Sequence, residues 1–415
     1  MRRFLLLAGL LVSVLPLPGA DFDVRRYGAK GDGVKMDTPA IQKAIDACSK
    51  AGGGRVVLSD GVFLTGPIQL KDGVDLHLER TARLLASPRI EDFPEWQDVK
   101  HVVSENLARS RNACVIFADE ARDIAITGEG TIDGNGTYHV RKKDKPDENG
   151  WEYERVYEMS KSLPRMVFFT GCSDVLIRDV TMVNQPAGWG YWIHDCDRVS
   201  IRGLKILSEL RYPNNDGIHL NCCRDVTVSD CQIQTGDDCI VLRANSRSLR
   251  ENKPTERAVI SNCVLRSRAC GVRVGWRNDG VIRNCVVSNL VITQSKIGIG
   301  IQLPFRKPNP DYGREATRIE NLLFSDIRME DCFFHPIYAD IFDGPETQVE
   351  AVRNLRFSNI HSDGPTLPHF HGRAGCPLRD FVFENCSFAG GAPEKDGMFR
   401  FTEGFIFNNC HFNIE

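Results

Sequence analysis

From residue 172 onward, apolar and polar positions alternate in short runs that close on an Asp or Asn. Val175-Leu176-Ile177-Arg178-Asp179-Val180 and Val226-Thr227-Val228-Ser229-Asp230-Cys231 are two such runs. Leu323-Phe324-Ser325-Asp326-Ile327, Leu355-Arg356-Phe357-Ser358-Asn359-Ile360 and Phe381-Val382-Phe383-Glu384-Asn385-Cys386 repeat the phrase further along. A second Asp or Asn often stands five residues earlier, at Asp174, Asp225, Asn284, Asn321, Asn354 and Asp380. Alternation with period two predicts β-strands, and the Asp or Asn predicts a tight turn joining two of them. The interval between central turn residues runs from 24 (Asn385 to Asn409) to 37 (Asn289 to Asp326), as when variable loops punctuate coils of fixed size.

Short strands at a steady repeat with no intervening helices predict an all-β parallel β-helix, a solenoid in which each coil contributes one layer. A sandwich or propeller would need hairpin turns of the Asn-Gly type between neighbouring strands, and few occur. The ends of a solenoid must be covered to protect edge strands. Thr38 and Pro39 predict the start of a helix, as cap and first-turn residues. Ile41, Ala44, Ile45 and Cys48 give it an apolar face, and Gly52-Gly53-Gly54 ends it. The expectation is a short capping helix within an N-terminal cap of about residues 21–70. Three segments, Lys142 to Arg165, Asn245 to Arg257 and Pro304 to Arg314, lack strand pattern and read as rim loops that build a groove.

The first twenty residues depart from this pattern. Arg2 and Arg3 precede an apolar stretch from Phe4 to Leu15, and Leu17-Pro18-Gly19-Ala20 offers small residues for cleavage. That is the layout of a signal peptide, 1–20, which leaves one domain at 21–415 in a secreted or periplasmic protein. No later run is long enough to span a bilayer. A net charge of −3 argues against a nucleic-acid partner. A capped solenoid is expected to be a monomer. Fifteen cysteines would fit a disulfide framework in an exported chain. Cys231, Cys263, Cys285, Cys332, Cys386 and Cys410, however, recur at matching repeat positions, which predicts a stacked ladder of buried thiols. No pair of Cys-x-x-Cys knuckles is present, so no metal site and no cofactor are expected.

The candidate chemistry lies in Asn214-Asn215-Asp216-Gly217-Ile218 and Gly236-Asp237-Asp238-Cys239. Asp216 and the pair Asp237-Asp238 are one coil apart, so stacking at about 4.8 Å would crowd three carboxyl groups on one wall. Crowding drives their pKa values apart, as acid/base cleavage of a glycosidic bond requires. Asp225 and Asp230 read instead as turn residues bonding their own backbone. Adjacent acids repel and gain nothing from a turn, which sets Asp237 and Asp238 apart.

These motifs resemble the polygalacturonase-like glycoside hydrolases of family 28. Tyr27-Gly28-Ala29-Lys30-Gly31-Asp32-Gly33, Asp37-Thr38, Gly52-Gly53-Gly54 and Ile126-Thr127-Gly128-Glu129-Gly130-Thr131-Ile132-Asp133-Gly134 are similar to the family's N-terminal blocks. The resemblance covers nearly all of the chain after residue 20. It implies a right-handed solenoid that hydrolyses α-linked, galacturonan-type pectic glycans with inversion. Asp237 matches the family's general acid, and Asp216 and Asp238 match the pair that holds and deprotonates water.

Two family motifs are missing. Cys270 stands where the family has the histidine of Gly-His-Gly, and Gly300-Ile301-Gln302 stands where Arg-Ile-Lys would grip a uronate. Asn214, His219, Arg243, Arg273 and Gln302 are the candidate substrate-binding residues, with His194 nearby. Trp189, Trp192 and Trp276 are candidates for stacking on sugars. Arg273 lies three residues after Cys270, and strand alternation predicts that the two diverge. The departures fit a rhamnogalacturonan-type hydrolase with a neutral sugar on the leaving side. Two further alternatives are a calcium-dependent polysaccharide lyase, with Asp216, Asp237 and Asp238 as ligands, and a non-catalytic glycan-binding relative.

Overall fold

The computed structural model describes residues 20–94, 113–146, 156–158, 163, 165–305, 315–343, 348–391 and 397–414. Residues 1–19, and with them nearly all of the expected signal peptide, lie outside this set, as do most of the Lys142–Arg165 and Pro304–Arg314 rim segments. The fold is the expected right-handed parallel β-helix. Among the described residues, all pairings in the two large sheets are parallel, one sheet having 11 strands and the other 23. The 11-stranded sheet carries the candidate site. Its central strands are Trp189–His194, Ile218–Asn221, Ile240–Arg243, Cys270–Val274, Ile297–Phe305 and His335–Asp343.

Turn chemistry explains how the repeat closes. The central residues Asp230, Asn262, Asn289, Asp326, Asn359, Asn385 and Asn409 all have φ between 52° and 58°. Asn and Asp tolerate this left-handed region because their short side chains bond locally. Stacking puts those side chains on neighbouring coils, where Asn289 Nδ2 donates to Asn262 Oδ1 at 2.8 Å and Asn409 Nδ2 donates to Asn385 Oδ1 at 2.8 Å. The earlier turn residues form a second ladder, in which Asn321 Nδ2 reaches Asn284 Oδ1 at 3.1 Å. Asp225 and Asp230 are turn residues, with φ of 58° each, but their carboxylates bond neighbouring side chains rather than their own backbone as expected. Asp225 accepts from Arg257 at 2.6 Å, and Asp230 accepts from Ser229 Oγ at 2.6 Å and Asn262 Nδ2 at 3.2 Å, because the stacked neighbours supply stronger donors.

Inward-facing positions stack as columns. Phe324, Phe357, Phe383 and Phe407 form one, with near-parallel rings 5.0, 4.8 and 4.8 Å apart. All fifteen cysteines are free thiols, buried except for Cys410. They do not make the single ladder expected. Pairing of Gln232 with Val264 sets Cys231 beside Cys263, and pairing of Ser387 with His411 sets Cys386 beside Cys410. Cys285 instead pairs with Leu322 in another column, and Cys332 is buried elsewhere. A further thiol column, Cys172, Cys196 and Cys223, follows from the register of Ser173, Asp197 and Arg224.

The helix spans Thr38–Lys50 and buries Ala40, Ile41, Ala44, Ile45 and Cys48. It packs on the strands Ala20–Asp23, Gly54–Leu58, Ile68–Gln69 and Val74–Leu78. Its cap residue is Asp37 rather than Thr38. The Asp37 carboxylate accepts from Lys30 N and Gly31 N, at 2.7 and 2.9 Å, while Thr38 Oγ1 accepts from Gly66 N at 2.7 Å. Both side chains are thus spent on fastening loops to the first coils. The Asn245–Arg257 segment is shorter than read, since a strand begins at Thr255. Lys253 ties this loop to the body through Asp195 at 2.6 Å and Asp197 at 2.9 Å.

Candidate active site

Register brings the acids together. Ile218 pairs with Ile240 and Ile240 with Val272, which aligns Asp216, Asp238 and Cys270 on three successive coils. Gly217 N donates to Asp238 O at 2.9 Å, and Cys239 N donates to Cys270 O at 2.9 Å. The coils touch so closely here that a Cβ at Gly217 would lie 2.4 Å from Cys239 O, which is why the residue after Asp216 lacks a side chain. One carboxylate oxygen from each of Asp216, Asp237 and Asp238 lies within 4.8 Å of the others. Asp216 and Asp238 are buried and Asp237 is half-buried.

Each carboxylate is held differently. Asp238 Oδ1 accepts from Cys270 N at 3.0 Å, and Oδ2 accepts from Arg273 Nε. Asp237 Oδ2 accepts from Asn214 N and Nδ2, both at 3.3 Å, and its Oδ1 accepts from Asp238 N at 3.0 Å. Asp216 Oδ2 accepts from His219 Nε2 at 2.9 Å, while its buried Oδ1 has no partner among the described residues. Burial, and then the charge of Asp238, push the Asp216 carboxyl well above the usual carboxylate range. Burial, and then the charges of Asp216 and Asp238, do the same to Asp237. Acids this close titrate as a coupled group, so their protons belong to the group rather than to single residues.

His219 stacks against aromatic neighbours, 4.6 Å from Trp189 and 5.6 Å from Trp192. Burial and the nearby Arg243 cation push its pKa down to about 3, so the ring is neutral. Trp189 and Trp192 stack on each other at 4.1 Å, and Arg165 lies over both rings. Trp189 and Trp192 therefore form a wall one coil before Asp216, whereas Trp276 lies apart, with Arg273 and Arg277 over its ring.

Arg273 and Cys270 converge, contrary to strand alternation. Cys270 sits where its strand begins, so parity along the strand does not govern it, and the long Arg273 chain reaches back to the carboxylate that Cys270 N also holds. Arg273 Nη1 donates to Gln302 Oε1 at 2.5 Å, and Cys270 Sγ lies 4.0 Å from that oxygen. Burial keeps Cys270 a neutral thiol, its pKa raised well above the usual thiol value. Arg243 behaves otherwise. Its guanidinium is held by Asp279 at 2.8 Å and by Arg277 O at 3.0 Å, so it braces the floor of the site. His194 is likewise occupied, by Ser248 Oγ at 2.9 Å and Asn221 Nδ2 at 2.5 Å.

Two supporting residues were not singled out in the sequence. Asn215 Oδ1 accepts from Gly236 N at 2.8 Å and Asp237 N at 3.1 Å, which fixes the turn that presents Asp237. Gln185 Nε2 donates to Asp216 O at 2.8 Å. Asn215 lies inside the Asn214–Asp216 phrase, and its place there is the signal that could have marked it. A divalent ion bridging the three carboxylates would have to share Asp238 with a guanidinium already bound to it, an arrangement suited to proton chemistry rather than to an ion cage.

Relatives place this geometry. The chain is 29% identical over 287 residues to a probable polygalacturonase of Vitis vinifera, covering 66% of this chain and 55% of the relative. It is 28% identical over 314 residues to the exo-poly-alpha-D-galacturonosidase of Dickeya chrysanthemi, covering 67% and 51% respectively. The chain thus spans about half the length of these two relatives. Its fold superposes on the exopolygalacturonase of Thermotoga maritima with a TM-score of 0.74 at 22% identity, over 96% of this chain and 92% of that one. Residues 22–77 match a family described as rhamnogalacturonase A/epimerase, pectate lyase-like. Residues 55–401, from the first coils through all three aspartates to the last, match the model of glycosyl hydrolases family 28, and the chain belongs to that family.

Proposed function

We propose that this protein is an exported glycoside hydrolase cleaving α-glycosidic bonds in pectic polysaccharides or oligosaccharides. The observation that carries the reading is the group of three crowded carboxyls in which burial and mutual repulsion raise Asp216 and Asp237 while a cation holds Asp238. Asp237 is the general acid that protonates the leaving oxygen. Asp216 and Asp238 hold the attacking water. Inversion at the anomeric carbon rests on membership of the family; the close spacing of the carboxylates is not its support. Arg2, Arg3 and the apolar stretch that follows support export, and no helix among the described residues is long and apolar enough to cross a membrane.

One observation favours a particular substrate. Arg273 spends its guanidinium on Asp238 and Gln302, and Gly300 offers no side chain, so among the described residues these three positions do not supply the bidentate clamp a uronate would use. A neutral sugar such as rhamnose fits this leaving-side pocket better. The test is to incubate wild type and Asp237→Asn with homogalacturonan, rhamnogalacturonan and their oligomers, following reducing ends and product sizes. Asp237-dependent release is expected, with rhamnogalacturonan preferred. An ultraviolet-absorbing unsaturated product lost on chelation would overturn hydrolysis in favour of a lyase. Absence of any Asp237-dependent release would overturn the enzymatic reading.

A further inference from the structure

Beyond the three aspartates, the wall carries two half-buried cations on successive coils, Arg268 and Lys296. Arg268 N donates to Thr235 O at 3.2 Å and Lys296 N donates to Ser267 O at 3.1 Å, which sets Arg268 one coil past Asp237 and Lys296 two. Phe333 and Phe334 lie on the coil after that, where Phe334 N donates to Lys296 O at 2.9 Å. Both rings are exposed, at 40% and 36%, and each has a cation over it. The Arg268 guanidinium carbon is 5.5 Å from the Phe333 ring centre, and Lys296 Nζ is 5.0 Å from that of Phe334. We propose that Arg268 and Lys296 form a cationic step that receives the carboxylate of the second sugar on the leaving side, a uronate following the neutral first one. This inference rests on the hydrolase reading above, including the side of Asp237 on which the leaving sugar lies.

Coil depth gives the position. A pyranose ring is about as long as one coil is deep, so the second leaving-side sugar reaches the coils of Lys296 and Phe334. The long Arg268 chain runs out to Phe333, which brings its charge to the same place. A ring face holds a cation in position without cancelling its charge. Asp237 is held by Asn214 and by Asp238 N, so its acid role is separate from the two cations.

Charge decides the class of ligand. Burial lowers the Lys296 pKa most, and the Arg273 and Arg268 cations act in the same sense. A carboxylate between Arg268 and Lys296 opposes that repulsion, so the pair gains from an acidic ligand and not from a neutral one. Arg268 offers a planar fork and Lys296 a point charge, which together suit one carboxylate. An acidic glycan must also pass three crowded carboxyls, and cations just beyond them offset that repulsion. A chain that alternates neutral and acidic sugars would meet the cation-poor positions Gly300 and Gln302 first and this step second.

The probes are two rhamnogalacturonan oligosaccharides with the same scissile bond, one ending at the first leaving-side sugar and one carrying a galacturonate beyond it. Wild type should prefer the longer probe. Arg268→Gln/Lys296→Gln should cut the ratio of kcat/KM values, longer over shorter, at least about fivefold, mainly through KM. Arg268→Lys/Lys296→Arg should keep most of the ratio, and rising ionic strength should weaken it. A merely structural role would lower both probes together and leave the ratio unmoved. Each single variant should show part of the fall, so misfolding of the double variant does not end the test. Calorimetric titration of Asp237→Asn with the same probes repeats the comparison without turnover. If wild type cleaves neither probe while the affinity preference still depends on Arg268 and Lys296, the hydrolase reading falls and the carboxylate site stands. If wild type cleaves both and the double variant leaves the ratio unchanged, the cationic step is overturned and the hydrolase stands. No cleavage and no preference would remove both.

Discussion

Cys270 Sγ occupies the space into which any side chain at Gly300 would have to grow: a Cβ at residue 300 would lie 2.7 Å from that sulfur. The two departures from the family pattern are therefore one packing unit. Gly300→Ala should cost about 1–3 kcal/mol through overpacking. In the Cys270→Ala background the same change should cost at least about 0.5 kcal/mol less, a coupling that a double-mutant cycle by urea unfolding would read. Strict additivity would show that the thiol moves aside freely.

Arg273 neutralises a carboxylate in the most crowded part of the site. Its side chain is 13% exposed and that of Asp238 6%, so screening by solvent is slight. Arg273→Ala should destabilise the fold by about 3–5 kcal/mol, because it leaves a buried charge uncompensated. Arg273→Lys should recover part of the stability, since an ammonium cannot serve Asp238 and Gln302 with the same planar geometry. Unfolding midpoints of the three proteins check both statements.

Activity should follow a bell in pH. On the proposed mechanism Asp237 must keep a proton while the carboxylates holding the water stay ionised; burial and the charge of Asp238 raise Asp216, and burial with the charges of Asp216 and Asp238 raises Asp237. The two limbs belong to the coupled group rather than to single residues. At low pH both carboxyls are protonated and the base is lost; at high pH both are ionised and the acid is lost.

The same shifts act on stability with a definite sign. A carboxyl whose pKa is raised on folding binds its proton more tightly in the folded chain, so its favourable contribution is complete below the unfolded value and disappears as pH rises through the folded one. Above that window the crowded charges oppose folding. Asp237→Asn removes one of them. It should abolish turnover while raising the thermal midpoint at pH 8 relative to wild type, with a smaller gain at pH 4.

The turn ladders give a prediction remote from the site. Asn289 has φ of 53° and donates to Asn262 on the preceding coil. Asn289→Ala should cost about 1–2 kcal/mol, since a Cβ without a local hydrogen bond is disfavoured there, and Asn289→Gly should cost less. Chemical denaturation of the pair is the check, and equal costs would show that the ladder hydrogen bond outweighs backbone strain.

How much of this could be read from the chain follows a physical boundary. The alternation around Val226, Val228 and Asp230 reports backbone geometry directly, because apolar faces and left-handed turns recur at every coil. The crowding of Asp216, Asp237 and Asp238 was legible for the same reason: coil length converts sequence spacing into stacking. Side-chain reach is different. Arg273 swings back to Asp238, and Arg243 is drawn to Asp279, by contacts 35 and 36 residues apart that no local period encodes. Asp37 was overlooked as the helix cap because its carboxylate serves Lys30 and Gly31 rather than the helix. Cys231, Cys263 and Cys285 each follow a turn Asp or Asn, which conceals a shift between columns: Asp230 and Asn262 are central turn residues, whereas Asn284 belongs to the earlier turn.

The thiol columns impose an order of events on the life of the chain. Fourteen of its fifteen cysteines are buried in the finished fold, out of reach of oxidants. On the proposed export, an unfolded chain would enter an oxidising compartment with all of them exposed at once, and any wrong bridge would join residues that belong on different coils. Coil-by-coil zippering, in which each layer covers the one before it, removes thiols from this hazard progressively. Folding is then a race against oxidation, and closure of the interior is what ends it.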